Sequence, residues 1–382
     1  MQTINRLLIF INLFFLQSYL LRFQLGPYPT NLQEILIALN AFTFFILITK
    51  ERRIIQTLKN LKKHWIILGF AILTLISILT VPIINQTDFL RHGKFLFFAL
   101  IFSFIFLKSL NTKERSKALT LGAFGALTFG LFSIIYNLLG YNVAADFRLL
   151  GPLDAAVYLA FYIAPFFIYS SIDYLNNPKN FKKLWLPLFL GILLLLTRSM
   201  GAVGGSFIIL AFYVLKNSPL FKRKAFKIGL IITSTLLIAS IFYTKILPTL
   251  TTEYSSLDER GEIWKTSAYL LEENFLFGLG FGQFQQYYQE NVAQVLNKEP
   301  LDYYVLQPHN IFLLFLFQYG ILGLLFITYV IYKVIKNIFE QKNLTAALVA
   351  SYFLIHGLID TPFFKNDLLI LLITFFELSS ED

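Results

Sequence analysis

The residues with chemical potential in this chain are a few scattered cations and one histidine, not carboxylate pairs or thiols. Arg148 lies in Phe147-Arg148-Leu149-Leu150-Gly151-Pro152, Arg198 in Thr197-Arg198-Ser199-Met200-Gly201, and Arg260 in Glu259-Arg260-Gly261-Glu262-Ile263-Trp264. Lys94 precedes an apolar run on the same side of the membrane as these three. Each cation taken singly suits an interface anchor. Together they suit a diphosphate, because a guanidinium grips phosphate oxygens through two parallel hydrogen bonds. His309 follows Pro308 within Gln307-Pro308-His309-Asn310, and the proline predicts a helix start with His309 in its first turn. A helix N-terminus disfavours imidazolium, which leaves a neutral ring able to take a proton. The same residue could instead be a capping or core histidine. His356 and Asp360 are spaced i, i+4, with Lys365 and Asp367 close behind. That group is either a structural ion-pair set or part of the site. His64 and His92 receive no role.

Several chemistries are missing from the sequence. There is no cysteine, hence no disulfide, thiolate nucleophile or Cys-ligated metal. No phosphate-binding G-x-x-x-x-G-K-[ST], H-E-x-x-H or G-x-S-x-G motif occurs, and no D-x-D pair offers a metal site for a nucleotide-sugar. The expectation is an activity with no cofactor and no metal.

The elements that must position these residues are membrane spans. Hydrophobic residues make up 57% of the 382 and charged residues 14%, with mean hydropathy +0.66. A soluble chain of this length could not hide so much apolar surface. Twelve apolar runs read as spans: 7–21, 35–49, 65–84, 95–107, 118–139, 155–172, 184–196, 202–215, 228–247, 311–332, 344–359 and 368–378. The fourth, seventh, eighth and twelfth are short against the roughly 20 residues a crossing helix needs. The first reads as a retained span, because no small-residue cleavage site follows it. The net charge of +10 reads as topogenic rather than nucleic-acid-binding: 22 of the 32 lysines and arginines fall in alternate segments that then face the cytoplasm. On that orientation Lys94, Arg148, Arg198, Arg260 and His309 all face outward. The expected organisation is one integral membrane domain over 1–382, with an outward loop at 248–308. Within the loop, 257–273 reads as an amphipathic helix, and Gly278, Gly280 and Gly282 as a tight exposed turn.

The stretch from Glu259 to Trp264, then Asn274-Phe275-Leu276-Phe277-Gly278-Leu279-Gly280-Phe281-Gly282, Pro308-His309-Asn310 and Gln318-Tyr319-Gly320-Ile321-Leu322-Gly323 resembles the O-antigen ligase and polymerase superfamily. Those proteins carry an R-x-x-x-W helix, an N-P-x-x-G-x-G turn and an H-N-x-x-L…G-x-x-G helix around a large periplasmic loop. Thr197 to Gly201 looks like the family's S-R-G element, and Arg148 to Leu159 like its R-x-x-G…N-x-L-A segment. Phe275 departs from the pattern, standing where the family often has proline. Leu153-Asp154-Ala155-Ala156 departs too, where proline and asparagine are usual. The resemblance implies an all-α, glycosyltransferase-C-like polytopic membrane protein in the bacterial inner membrane. It implies transfer of a glycan from undecaprenyl diphosphate to a hydroxyl of a lipid or glycan acceptor on the periplasmic face, inverting and metal-independent. Arg198 and Arg260 would then hold the diphosphate and His309 would be the base. Arg148, Lys94, Asn310, Trp264, His356, Asp360 and Lys365 would contact substrate. A repeat-unit polymerase and a protein O-oligosaccharyltransferase share the pattern. A lipid-linked sugar flippase is the rival of another class, but it predicts paired halves and mid-membrane charge, and the sequence has neither.

Overall fold

A computed structural model of the chain describes residues 1–25, 28–52, 54–144, 146–217 and 256–381. The ninth expected span, at 228–247, and the first residues of the expected loop lie outside that set. The described helices are α1 (Gln2–Phe14), α2 (Leu32–Lys50), α3 (Ile54–Asn60), α4 (Trp65–Thr80), α5 (Gln86–Ser109), α6 (Thr112–Leu138), α7 (Ala156–Asn176), α8 (Trp185–Leu196) and α9 (Met200–Asn217). After 255 come α10 (Ser256–Glu272), α11 (Phe284–Leu296), α12 (Ile311–Glu340), α13 (Leu344–His356) and α14 (Asn366–Ser380). A small antiparallel hairpin, β1 (Arg22–Leu25) and β2 (Tyr28–Asn31), is the departure from an all-helical chain.

Six of these helices are long and apolar enough to cross a membrane, or seven if the bent pair 54–63 and 65–80 counts as one. The chain is a multi-pass helical membrane protein. The fourth expected span is longer than its apolar run suggests. α5 has 24 residues because Asn85 caps it through the Asp88 amide and the polar turn from Gln86 to Lys94 stays helical. α8 and α14 remain short, at 12 and 15 residues. Leu79, Leu138 and Phe339 are among the large apolar side chains left on the outer faces, where lipid would cover them.

α7 and α14 run through the centre. α7 is buried along most of its length and α14 is apolar on nearly every face. Small residues let neighbours close in: a Cβ at Gly125 of α6 would sit 2.2 Å from the Phe14 carbonyl oxygen at the end of α1. Where α14 meets the start of α4, Glu377 accepts from the Ile67 amide at 2.8 Å and faces His64 at 3.1 Å.

α12 bends at Gly320, whose φ of +61° is open to glycine and costly for other residues. The bend frees one carbonyl and one amide, and the glycine turn takes both: Leu279 N–H donates to Phe317 O at 2.7 Å, and Ile321 N–H donates to Leu276 O at 3.2 Å. The approach is so close that a Cβ at Gly320 would meet Leu276 O at 2.1 Å. Gly278, Gly280 and Gly282, expected to form an exposed turn, are therefore buried. Phe281 N–H donates to Ser77 Oγ of α4, and Gln283 Oε1 accepts from the Ile84 and Asn85 amides. This turn fastens α10 and α11 to the membrane helices.

Candidate functional site

The site forms where two chain crossings meet: the entry to α12 and the exit from α13. Four successive residues after α13 each have an acceptor taken by a different donor. Ile311 N–H donates to Gly357 O at 2.6 Å, and Asn310 Nδ2 to Leu358 O at 3.1 Å. Arg260 Nε donates to Ile359 O at 2.9 Å, and His309 Nδ1 to the Asp360 carboxylate at 2.7 Å. Arg260 Nη2 stands 3.9 Å from the other Asp360 oxygen, and its Nη1 donates to Ser256 O. Trp264, one turn along α10, donates from Nε1 to Pro308 O at 3.1 Å. The i, i+4 spacing of Arg260 and Trp264 thus clamps both crossings from one helix face.

His309 does not sit in the first turn of α12. Asn310 is the N-cap, accepting from the Phe312 and Leu313 amides, and His309 precedes it with φ +50°. A β-carbon-bearing residue pays for that left-handed backbone, and the surrounding hydrogen bonds hold it there. The geometry aims the ring at Asp360. Burial of Asp360 opposes its ionisation, but the hydrogen bond and charge of His309, with His356 and Arg260, outweigh it and hold the carboxyl below its ordinary value. An ionised carboxylate only accepts, so Nδ1 is the donor of this bond and Nε2 is the ring nitrogen that Asp360 leaves unengaged. The His309 side chain is 28% exposed, enough for a substrate to reach it.

Arg148 and Arg198 are brought together beside this cluster through Asp146, which sequence reasoning missed. Arg148 pairs its Nε with the Asp146 carboxylate, and Arg198 Nη1 donates to the Asp146 backbone oxygen at 2.7 Å. Leu149 N–H donates to Leu196 O, binding this loop to the end of α8. Asp146 itself titrates low. Slight burial opposes its ionisation and the Arg148 hydrogen bond outweighs it. Arg198, like His309, has a left-handed backbone, at φ +51°. Three residues on, Gly201 touches the second cluster's support: a Cβ there would lie 2.9 Å from Ile359 and 3.1 Å from His356. The hairpin that carries Arg198 therefore packs, through Gly201, against His356 and Ile359, the latter also the acceptor of Arg260.

The other expected substrate contacts fall elsewhere or behind. His356 is a core histidine, 1% exposed and bonded to the Tyr352 hydroxyl at 3.0 Å. Asn310 and Trp264 shape backbone rather than face outward. Lys94 lies within α5, not ahead of a span, and is held by Glu34 at 3.1 Å and the Pro29 carbonyl, against the hairpin. Lys365 is engaged by Asp154 and the Tyr158 ring. The spacing Asp146-x-Arg148 was a visible signal for the missed carboxylate. Nothing local in sequence pairs Asp360 with His309, 51 residues apart.

The arrangement offers a polarised imidazole beside a buried carboxylate, with guanidinium groups on two sides. Residues 185–328 match the model of the O-antigen ligase family. The superfamily resemblance of the sequence is borne out. The matched segment contains Arg198, Arg260, Trp264, the glycine turn and His309, while Asp360 and Arg148 lie outside it. No curated protein matches the chain. The family match supports a membrane enzyme of the O-antigen ligase and polymerase type, a glycosyltransferase-like superfamily that works on lipid-linked glycans.

Proposed function

We propose that the protein transfers a glycan from undecaprenyl diphosphate to an acceptor hydroxyl, with His309 as general base. The observation that carries this reading is the 2.7 Å pairing of His309 Nδ1 with a buried Asp360, which leaves Nε2 as the proton acceptor. The acceptor oxygen attacks the anomeric carbon while its proton passes to Nε2. The bond from that carbon to the diphosphate oxygen breaks, and the lipid diphosphate leaves with the bonding pair. Arg260 and Arg198 face the departing charge, with Arg148 behind, and stabilise it without a nucleotide. Attack opposite the leaving group inverts the anomeric centre.

Orientation follows from charge. The His309 end carries few of the basic residues and the opposite end most of them, so the site faces the periplasm of an inner membrane. α10 and α11, with the segment that precedes α12, form the loop over it. The ligase reaction accounts for the site as well as a repeat-unit polymerase does, since both use the same donor and differ in acceptor. The test is an assay of the purified protein with a lipid-diphosphate glycan donor, reading product linkage by NMR in the presence of excess EDTA. Product of inverted configuration, formed with EDTA present, is the expected result. Retention of configuration, or loss of transfer that a divalent ion restores, overturns the mechanism.

A further inference from the structure

A cavity opens on the Asp154 and Lys365 side of the bundle, formed by residues the reaction does not use. It has a volume of about 270 Å³ and is lined by Tyr19, Leu20, Arg22, Pro152, Leu153, Asp154 and Lys365. That is just below the ~300–1,000 Å³ of sites for drug-sized ligands, room for one sugar ring and not an oligosaccharide. Lys365 stands 3.4 Å from Asp154 and 3.2 Å from the centre of the Tyr158 ring. Its ammonium is therefore held in place by a ring face and a carboxylate that is itself mostly exposed. The Arg22 guanidinium makes no hydrogen bond or ion pair among the described residues. Tyr19, a residue 5% exposed, also lines the cavity, and its hydroxyl has no hydrogen-bond partner among them. Gln17 and Asp367 stand two residues from Tyr19 and Lys365 in sequence, and Gln17 donates to Asp367 at 2.6 Å, which ties the segments that carry them.

Two cations, one carboxylate and a phenol hydroxyl leave the lining with a net positive charge and both donors and acceptors. That combination recognises a hydroxylated ring bearing an anion. We propose that this cavity is a subsite for an anionic saccharide residue of the donor or acceptor glycan. The proposal rests on the glycan-transfer reading above. Two loops join the subsite to the reaction centre: 146–154, running from Asp146 to Asp154, and 360–365, running from Asp360 to Lys365. Five residues span at most ~18 Å, so a short glycan can touch both places.

The test is direct binding to the full-length protein in lipid nanodiscs, measured with methyl β-glucuronide, glucose 6-phosphate, methyl β-glucoside and inorganic phosphate. At least one anionic sugar is expected to bind tenfold or more tighter than the neutral glucoside, and the tighter of the two shows whether a carboxylate or a phosphate is the natural anion. Arg22→Ala, at an exposed position, should erase the preference, Arg22→Lys should keep most of it, and Asp154→Asn should strengthen anion binding several-fold. His309→Ala should bind the sugars as the wild type does. Equal binding of neutral and anionic sugars, or wild-type binding by Arg22→Ala, overturns the proposal. Inorganic phosphate matching the sugar phosphate overturns the saccharide class. Selective binding by a protein that transfers no glycan supports the subsite while counting against the reaction.

Discussion

Two carboxylates organise the cations at one end of this bundle, and their settings differ. Asp360 is buried, its side chain 12% exposed, and it engages both a histidine and an arginine. Asp146 is 45% exposed and engages Arg148 through its carboxylate. Water and salt screen the second pair, so it orders a loop at little energetic gain. The first pair is shielded, so the same chemistry there orients the His309 ring, the base of the proposed reaction. Burial, not residue type, separates the cluster proposed to react from the one proposed to support it.

Asp360→Asn is the sharpest way to break that contrast. The amide keeps the shape but can present a donor to Nδ1, which favours the wrong tautomer, and transfer should fall by about 10²–10⁴-fold. The pH dependence follows from the same carboxyl. Its folded pKa is depressed, so the stability it contributes is present above the unfolded value of ~3.9 and is lost as pH falls through the lower folded value. An acid titration of the purified protein should show wild type losing stability below about pH 4 at this site, and Asp360→Asn lacking that component.

Arg260→Ala should come next, removing most transfer together with the clasp on Ile359. Arg260→Lys should recover only part, because an ammonium lacks the two-pronged geometry. Kinetics on both variants, with thermal unfolding alongside, separate charge from geometry. Trp264→Phe removes the hydrogen bond to Pro308 while keeping the ring, at a cost of about 1 kcal/mol in stability and a several-fold loss in turnover. Asp146→Ala should be the mildest: less than ~1 kcal/mol of stability, and a few-fold change in donor affinity. An Asp146 variant as damaging as Asp360→Asn would erase the distinction between the two clusters.

The sequence was informative where chemistry is local. The helix at 257–273 is seen as Ser256–Glu272, and Arg260 with Trp264 falls on one face of it as the spacing requires. Apolar runs coincide with the six described helices long enough to cross a membrane, against twelve expected spans, and polar first turns such as Gln86 to Lys94 hide how far a helix reaches beyond its apolar run. The glycine turn was misjudged because its burial depends on the bend at Gly320, some 40 residues later, which no window of sequence links to it. Pro308 points to a His309 inside the first helix turn, whereas the Asn310 side chain takes the first amides of α12 and becomes its cap. Asp360 was visible as a neighbour of His356 and not as the partner of His309, since that pairing arises where α12 enters and α13 leaves.

The central claim is that His309 moves a proton and Arg198 and Arg260 hold charge. The measurement that tests it most directly compares donor binding with single-turnover transfer in purified His309→Ala. Donor affinity within a few-fold of wild type, with transfer at least 100-fold slower, is the result the dyad predicts. Transfer near the wild-type rate would contradict it.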